Sequence, residues 1–181
     1  PIKVIFSYFI YKQQYFLMKE TTMNNLLNFP NPVNEYAART VAFMVLVLSI
    51  MTLIFNSPWL SAILLYGFLA RVLTGPKLSP MGLLSTKIIV PYLIKKEKLV
   101  PGPPKRFAQL IGLIFSTAIF VSIAIYQINV LANTLLIILS IFAFLESILG
   151  FCAGCLVFKY LMKFKLIPDS ICESCNNFQT T

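Results

Sequence analysis

The fold is decided by the apolar stretch Tyr36–Phe55, which reads YAARTVAFMVLVLSIMTLIF. A helix that crosses the hydrocarbon core of a bilayer needs about 20 such residues. Asn34 is placed to cap this helix, and Asn56–Pro58 (NSP) is a turn sequence that would end it. The stretch therefore predicts a first transmembrane helix that begins and ends at identifiable residues.

Three further apolar stretches follow it along the chain. The second runs from Trp59 to about Leu73, the third is Phe107–Tyr126, and the fourth is Val130–Leu149. We expect the fourth to continue as one helix to about Lys163. Hydrophobic residues make up 58% of the chain and charged residues 12%, whereas soluble domains are about a quarter charged. The predicted fold class is an all-α membrane protein, a four-transmembrane-helix bundle.

The connection between the second and third spans mixes apolar residues with lysines over Met81–Ile94. This pattern predicts a short amphipathic interfacial helix, and a plain basic loop is the alternative because Pro91 interrupts it. The domain boundaries follow from these spans. Residues 1–29 form a poorly defined N-terminal segment, in which Met18 and Met23 are candidate starts. Residues 30–163 form the membrane domain, and residues 164–181 form a tail.

The basic residues predict the orientation in the membrane. Lys and Arg are absent from the first-to-second and third-to-fourth connections. They are frequent in the second-to-third connection and the tail: Lys77, Lys87, Lys95, Lys96, Lys98, Lys105, Arg106, Lys159, Lys163 and Lys165. By the positive-inside rule, the long connection and both termini face the cytoplasm, N-in and C-in. We therefore attribute the net charge of +9 to basic residues that set the topology and contact lipid headgroups of the bilayer, and not to nucleic-acid binding.

The cysteines carry the most informative chemistry. The chain has no histidine, which excludes His-based acid–base catalysis and His-ligated metal sites. Its four cysteines form two C-x-x-C pairs, Cys152 with Cys155 and Cys172 with Cys175. Such pairs cycle between dithiol and disulfide, carry a persulfide or bind a soft metal ion. We expect Cys152 and Cys155 to be the working redox pair, and Cys172 and Cys175 an accessory pair on the tail.

Zinc is the alternative ligand for these cysteines. The four residues read C-x2-C-x16-C-x2-C, which falls within the spacing of four-cysteine zinc sites. In that case Cys152, Cys155, Cys172 and Cys175 would hold one ion together; otherwise no cofactor is required.

Two ionisable residues lie inside predicted spans, where an unpaired charge is costly. Arg71 follows Pro58 in the second span, and Glu146 lies at a similar depth in the fourth. Their matching depths predict an intramembrane ion pair between Arg71 and Glu146.

Four short motifs together resemble a family of small bacterial inner-membrane proteins catalogued as domain of unknown function 4395. They are NPVNEYAAR at Asn31–Arg39, GPKLSP at Gly75–Pro80, PPKRFAQ at Pro103–Gln109 and GFCAGC at Gly150–Cys155. The likeness covers about Pro30 to Tyr160. It implies a multi-pass protein of the bacterial inner membrane, with a thioredoxin-like or rhodanese-like protein as partner.

In this resemblance Cys152 and Cys155 match the C-x-x-C of the family. The expected function is thiol–disulfide redox or sulfur relay through that pair at the cytoplasmic end of the fourth helix. Two alternatives stay open: a small transporter, or transporter subunit, for a sulfur compound or metal ion, and a zinc-binding membrane scaffold. Whether the chain is an enzyme is also open. Interrupted transmembrane helices would favour the transporter.

Overall fold

The computed structural model describes residues 31–95 and 97–164, which form six helices and two short strands. The helices are α1 Glu35–Phe55, α2 Pro58–Thr74, α3 Pro80–Leu84, α4 Gly102–Ala124, α5 Asn129–Phe144 and α6 Ala153–Lys163. α3 continues as a π-helix over Ser85–Ile94, and α5 does so over Leu145–Leu149. The strands are β1 Val33–Asn34 and β2 Leu99–Val100. The predicted all-α class is confirmed.

Side-chain caps and left-handed residues set the helix ends. The Asn34 side chain accepts a hydrogen bond from the Tyr36 N–H at 3.0 Å, which caps α1 as expected. Asn56, with φ 46°, ends α1, and Gly75, with φ 65°, ends α2. Ser79 caps α3 by accepting the Gly82 N–H.

Three helices are long and apolar enough to cross a membrane: Glu35–Phe55, Gly102–Ala124 and Asn129–Leu149. The second predicted span corresponds to α2, Pro58–Thr74, which is apolar but has only 17 residues. At 1.5 Å per residue it is about 25 Å long, somewhat less than the ~30 Å hydrocarbon core of a bilayer. Three of the four predicted spans are therefore long enough to cross a membrane, and the second corresponds to a shorter apolar helix.

The bundle core draws on α1, α2, α4 and α5. Its buried cluster comprises Val45, Leu64, Phe68, Ile119, Ile123, Ala132, Leu136, Leu139 and Ala143. Small polar residues lie among them, and the hydroxyls of Ser49 and Ser140 are 2.8 Å apart across α1 and α5. Large apolar side chains cover the outside instead; Trp59 and Val130 are each 80% exposed. This distribution is typical of helices packed in lipid.

The segment between α2 and α4 is helical from Pro80 to Ile94, despite Pro91. The π-helical turn absorbs the proline, whose ring would clash in a regular α-helix. Ser85 donates to the Ala37 carbonyl at 2.8 Å and fastens the segment to α1, whereas Tyr92 and Leu93 are exposed. A helix is present where one was predicted; its amphipathic character and its place at a membrane interface stay predictions.

A two-stranded sheet ties the start of α1 to the start of α4. Val33 pairs with Val100 and Asn34 with Leu99, antiparallel. The Asn31 side chain accepts the Gly102 N–H at 3.0 Å and extends this clamp. The first turns of α1 and α4 therefore lie side by side, at the end of the bundle where the fourth apolar stretch passes Gly150.

Candidate functional site

The apolar stretch after Val130 is not one continuous helix to Lys163, and this corrects the sequence-based expectation. Gly150 adopts a left-handed conformation with φ +70°, and Cys152 is extended at φ −95° and ψ 105°. A new helix, α6, starts at Ala153. Hydropathy continues through the break, so the pattern of apolar residues alone did not reveal it.

Arg39 of α1 stabilises the break. Its guanidinium donates to the Ser147 carbonyl at 3.3 Å and also to the Ile148 carbonyl. These oxygens lie in the last turn before the break, where helical partners are missing. A Cβ on Gly150 would lie 3.1 Å from a Glu35 carboxylate oxygen, so glycine suits both the positive φ and the space.

The break places the first C-x-x-C pair at a helix N-terminus. Cys152 is the N-cap of α6, and its sulfur accepts the Cys155 backbone N–H at 3.4 Å. Both thiols are free; Cys152 is buried and Cys155 half-buried. The positive end of a helix dipole favours a thiolate at such a position. Cys152 lies just outside the helix and Cys155 in its first turn, so the two thiols are not both held within one regular helix.

The two thiols have unequal acidities. A hydrogen bond from the Cys155 side chain lowers the pKa of Cys152 below its ordinary value, although burial opposes the shift. The same hydrogen bond, reinforced by burial, raises the pKa of Cys155. Cys152 is therefore the thiol that becomes a thiolate first, and Cys155 the one that holds its proton.

A buried ion pair lies next to the thiols. Lys105, in the first turn of α4, reaches Glu146 at 2.8 Å between Nζ and Oε1, and its side chain is 9% exposed. Its positive charge lowers the pKa of both thiols, whereas the negative charge of Glu146 raises it; the effect of Glu146 is the larger at Cys152, and that of Lys105 is the larger at Cys155. Sequence reasoning had counted Lys105 only as a topology charge. Lys105 is seven residues before Gly112 and eleven before Ser116, so on a helix it lies on the same, inward-facing side of α4. That spacing could have indicated that Lys105 is buried.

Close packing of α6 on α4 fixes the distance between thiols and ion pair. A Cβ on Gly154 would lie 2.6 Å from the Ala108 Cα, so the two helices approach as closely as backbone allows. Phe107 and Phe158 pack beside this contact with ring centroids 5.6 Å apart. Gly154 lies between the two cysteines, so its contact holds the C-x-x-C turn against the start of α4.

Arg71 and Glu146 do not form the direct ion pair expected from their depths. Glu146 pairs with Lys105, and within residues 31–95 and 97–164 none of the three Arg71 guanidinium nitrogens has a hydrogen-bond partner. Arg71 is 3% exposed and stacks at 4.5 Å on the ring of Phe68. Arg71 and Glu146 nevertheless line one cavity of about 380 Å3, together with Lys105 and Cys152. Matching depth thus identified two residues of one cavity, but not the partner that Glu146 binds.

The second pair, Cys172 and Cys175, lies outside the described residues, as does most of the tail. The zinc alternative therefore stays untested. In the described part of the chain, no three side chains of the metal-binding types come together.

The four motifs that carry the family resemblance meet at this end of the bundle. The motif Asn31–Arg39 supplies the hydrogen bond from Asn31 to the start of α4 and the arginine that binds the carbonyls before the break. The motif Gly75–Pro80 ends α2 and caps α3. Pro103–Gln109 supplies the buried lysine, and Gly150–Cys155 supplies the break and the thiols. The motifs thus describe one three-dimensional site.

A family model described as "Domain of unknown function (DUF4395)" matches residues 33–163. The match covers well over half of the chain, so the chain belongs to this family, as the resemblance implied. No curated protein and no solved structure is significantly similar to it.

Proposed function

We propose that this member of the family is a membrane thiol–disulfide protein in which Cys152 and Cys155 exchange electrons or sulfane sulfur with a thioredoxin-like or rhodanese-like partner. One observation carries the proposal: Cys152 is the N-cap of α6, and its sulfur accepts the Cys155 N–H. A thiol at a helix N-terminus, whose pKa is lowered by a hydrogen bond from its neighbouring cysteine, has the surroundings of a reactive cysteine.

The exchange follows from the unequal acidities of the two thiols. The Cys152 thiolate attacks one sulfur of the partner's disulfide, forms a mixed disulfide and releases the other partner sulfur as a thiolate. Cys155 then transfers its proton to that leaving thiolate and attacks the Cys152 sulfur. The Cys152–Cys155 disulfide forms, and the partner leaves with two electrons, as one thiol that holds the Cys155 proton and one thiolate that takes its proton from water.

Sulfur relay would use the same nucleophile. The Cys152 thiolate attacks the outer sulfur of a partner persulfide and becomes a persulfide itself, while the partner leaves as a thiolate. In a later step Cys155 would attack the Cys152 sulfur; the Cys152–Cys155 disulfide forms, the S–S bond of the persulfide breaks, and the outer sulfur leaves as hydrosulfide.

The membrane arrangement is part of the proposal. Four spans, α1, α2, α4 and α5, would cross the bacterial inner membrane with both termini in the cytoplasm. The Lys and Arg distribution supports this, and the exposed apolar surface of the bundle fits lipid. α3 and its π-helical continuation would lie on the headgroups. A reporter fused after Lys165 should be active in the cytoplasm, and activity only in the periplasm would refute the orientation.

The decisive experiment traps the mixed disulfide. Purified full-length protein in detergent is incubated with oxidised thioredoxin, and covalent adducts are read by mass spectrometry. Cys155→Ser should accumulate an adduct at Cys152, because the resolving thiol is gone. Cys152→Ser should form none, and Cys175→Ser should only weaken exchange. An adduct that forms equally well on Cys152→Ser would refute the assignment of the nucleophile.

The same preparation tests the zinc alternative. Thiols are alkylated with and without reductant and with and without chelator. Reversible formation of one Cys152–Cys155 disulfide supports the redox proposal. Labelling of all four cysteines only after addition of chelator, with one zinc ion per chain, would replace it with the zinc scaffold, in which Cys172 and Cys175 complete the site.

Two observations favour a second candidate, the transporter. The helix interrupted at Gly150 and the cavity inside the bundle are features that substrate sites of transporters share. Uptake of a labelled sulfur oxyanion such as thiosulfate into proteoliposomes, lost in Arg71→Met, would support transport. Uptake at the level of protein-free liposomes would exclude that substrate class.

A further inference from the structure

The cavity next to the thiols carries an unbalanced charge. Arg71 and Lys105 contribute two positive charges, and Glu146 contributes one negative charge. Lys105 and Glu146 satisfy each other at 2.8 Å. Arg71 is 3% exposed, and no described residue accepts a hydrogen bond from it. A buried cation without a partner is strongly unfavourable, so this cavity favours an anion.

The guanidinium of Arg71 is held in a fixed orientation. It lies over the ring of Phe68 at 4.5 Å, and that ring occupies the space left by Gly112 on α4. A Cβ on Gly112 would lie 2.1 Å from the Phe68 ring, so only glycine admits it. A rigid guanidinium presents a planar fork of donors, which matches two oxygens of a carboxylate or phosphate.

The rest of the cavity is suited to an apolar body. Away from Arg71 it is lined mainly by aliphatic and aromatic side chains, including Val41, Val45, Phe115, Leu139 and Phe142. Its volume of about 380 Å3 lies within the ~300–1,000 Å3 of small-molecule sites. Gln109 also lines it, and its side-chain oxygen is buried without a partner among the described residues. That oxygen would accept a hydrogen bond from a hydroxyl.

From these features we infer that the cavity binds an acidic amphiphile, with an oxyanion headgroup on Arg71 and an apolar chain between α1 and α5. A fatty-acid carboxylate and the phosphate of a membrane lipid share this headgroup chemistry. The inference does not depend on the thiol chemistry, because Arg71 and the apolar wall are separate from the C-x-x-C turn.

Binding is tested on the full-length protein in a neutral detergent. Dodecanoate and dodecyl phosphate are titrated, with dodecanol as the uncharged probe of equal chain length, and complexes are counted by native mass spectrometry. Both acids should bind with one molecule per chain and at least tenfold more tightly than dodecanol. Equal affinity for dodecanol would mean that the headgroup charge is not recognised, and would overturn the inference.

Matched variants locate the site. Arg71→Met removes the buried cation, and Lys98→Met removes a cation that is 65% exposed and lies outside the cavity. Arg71→Met should weaken binding of both acids at least tenfold, and Lys98→Met less than twofold. Equal effects would refute the site. Ala38→Phe keeps every charge and fills the cavity from α1, so it should also weaken binding; full affinity in this variant would contradict the assigned cavity even if Arg71→Met did not fold.

Two further probes identify the source of the headgroup. Inorganic phosphate should compete only weakly with dodecyl phosphate, because it lacks the apolar chain; equal competition would overturn the amphiphile. Phosphatidylglycerol added in nanodiscs distinguishes the sources. Displacement of dodecanoate by this lipid, and not by phosphatidylcholine, assigns the headgroup to the bilayer, whereas no displacement by either assigns the site to a single-chain acid.

Discussion

Neutralising Glu146 should destabilise the protein more than removing its lysine partner. Glu146→Gln keeps the size of the side chain but leaves Lys105 and Arg71 as two buried cations, with no acidic residue among the described residues that line the cavity. Removing one member of a buried pair costs about 3–5 kcal/mol. The Glu146 side chain is 22% exposed, so we take the lower end, about 3 kcal/mol.

Lys105→Met removes the positive member of the same ion pair instead of the negative one. It leaves Glu146 in a cavity with Arg71, whose donors have no partner among the described residues. The two remaining charges balance, so the cost is that of a lost hydrogen bond to a charged group, about 1.5 kcal/mol. If the Arg71 side chain rotated to form an ion pair with Glu146, the loss of stability in Lys105→Met would be smaller still.

Unfolding of the purified variants by SDS in mixed micelles gives both free energies, with Lys98→Met as the control. Lys98 is mostly exposed in its pair with Glu35, so its loss should cost less than about 1 kcal/mol. The order expected for the loss of stability is Glu146→Gln, then Lys105→Met, then the control. If Lys105→Met costs as much as Glu146→Gln, the balance of charge in the cavity does not control stability, and the reasoning is refuted.

Three further predictions concern the turn that carries the thiols. Gly154→Val should cost about 1–3 kcal/mol and slow exchange, since its side chain would overlap the backbone of Ala108; unchanged SDS unfolding would contradict the close helix contact. Gly150→Ala should cost about 1–2 kcal/mol because of the positive φ, and wild-type stability in that variant would mean the break is not left-handed. Iodoacetamide should modify Cys152 at a lower pH than Cys155, because the pKa of the first is lowered and that of the second raised; peptide mapping that gives the reverse order would refute the assignment.

The helices could be predicted because a helix surrounded by an apolar environment needs a long, uninterrupted run of apolar residues, which is visible in the sequence. The stretch Tyr36–Phe55 became α1, Glu35–Phe55, with the cap that Asn34 was expected to provide. The third span starts earlier than expected, at Gly102, since Pro103 and Pro104 fit a first helical turn and need no N–H partner.

The site was harder to predict because it depends on contacts between distant segments. A glycine in an apolar run ends a helix only if something else satisfies the freed carbonyls, and Arg39, more than a hundred residues away, does so. Lys105 lay just outside the apolar stretch, so it was counted at the membrane surface, although it points into the bundle. The depth of Arg71 and Glu146 was informative, but depth alone does not choose between two nearby cations.

The position of Cys152 at the start of α6 also has a consequence for the reduction potential of the proposed Cys152–Cys155 couple. The hydrogen bonds from the Cys155 side chain and backbone N–H, at the positive end of α6, stabilise the Cys152 thiolate and therefore the reduced form of the pair. Forming the disulfide removes that negative charge and forfeits the stabilisation. A couple whose reduced form is favoured in this way has a raised reduction potential and accepts electrons readily. Thiol–disulfide exchange is reversible, and with a raised potential the proposed exchange runs spontaneously from a cytoplasmic dithiol to the Cys152–Cys155 disulfide, the reverse of an attack by Cys152 on a partner disulfide. An acceptor of higher potential would then reoxidise the pair.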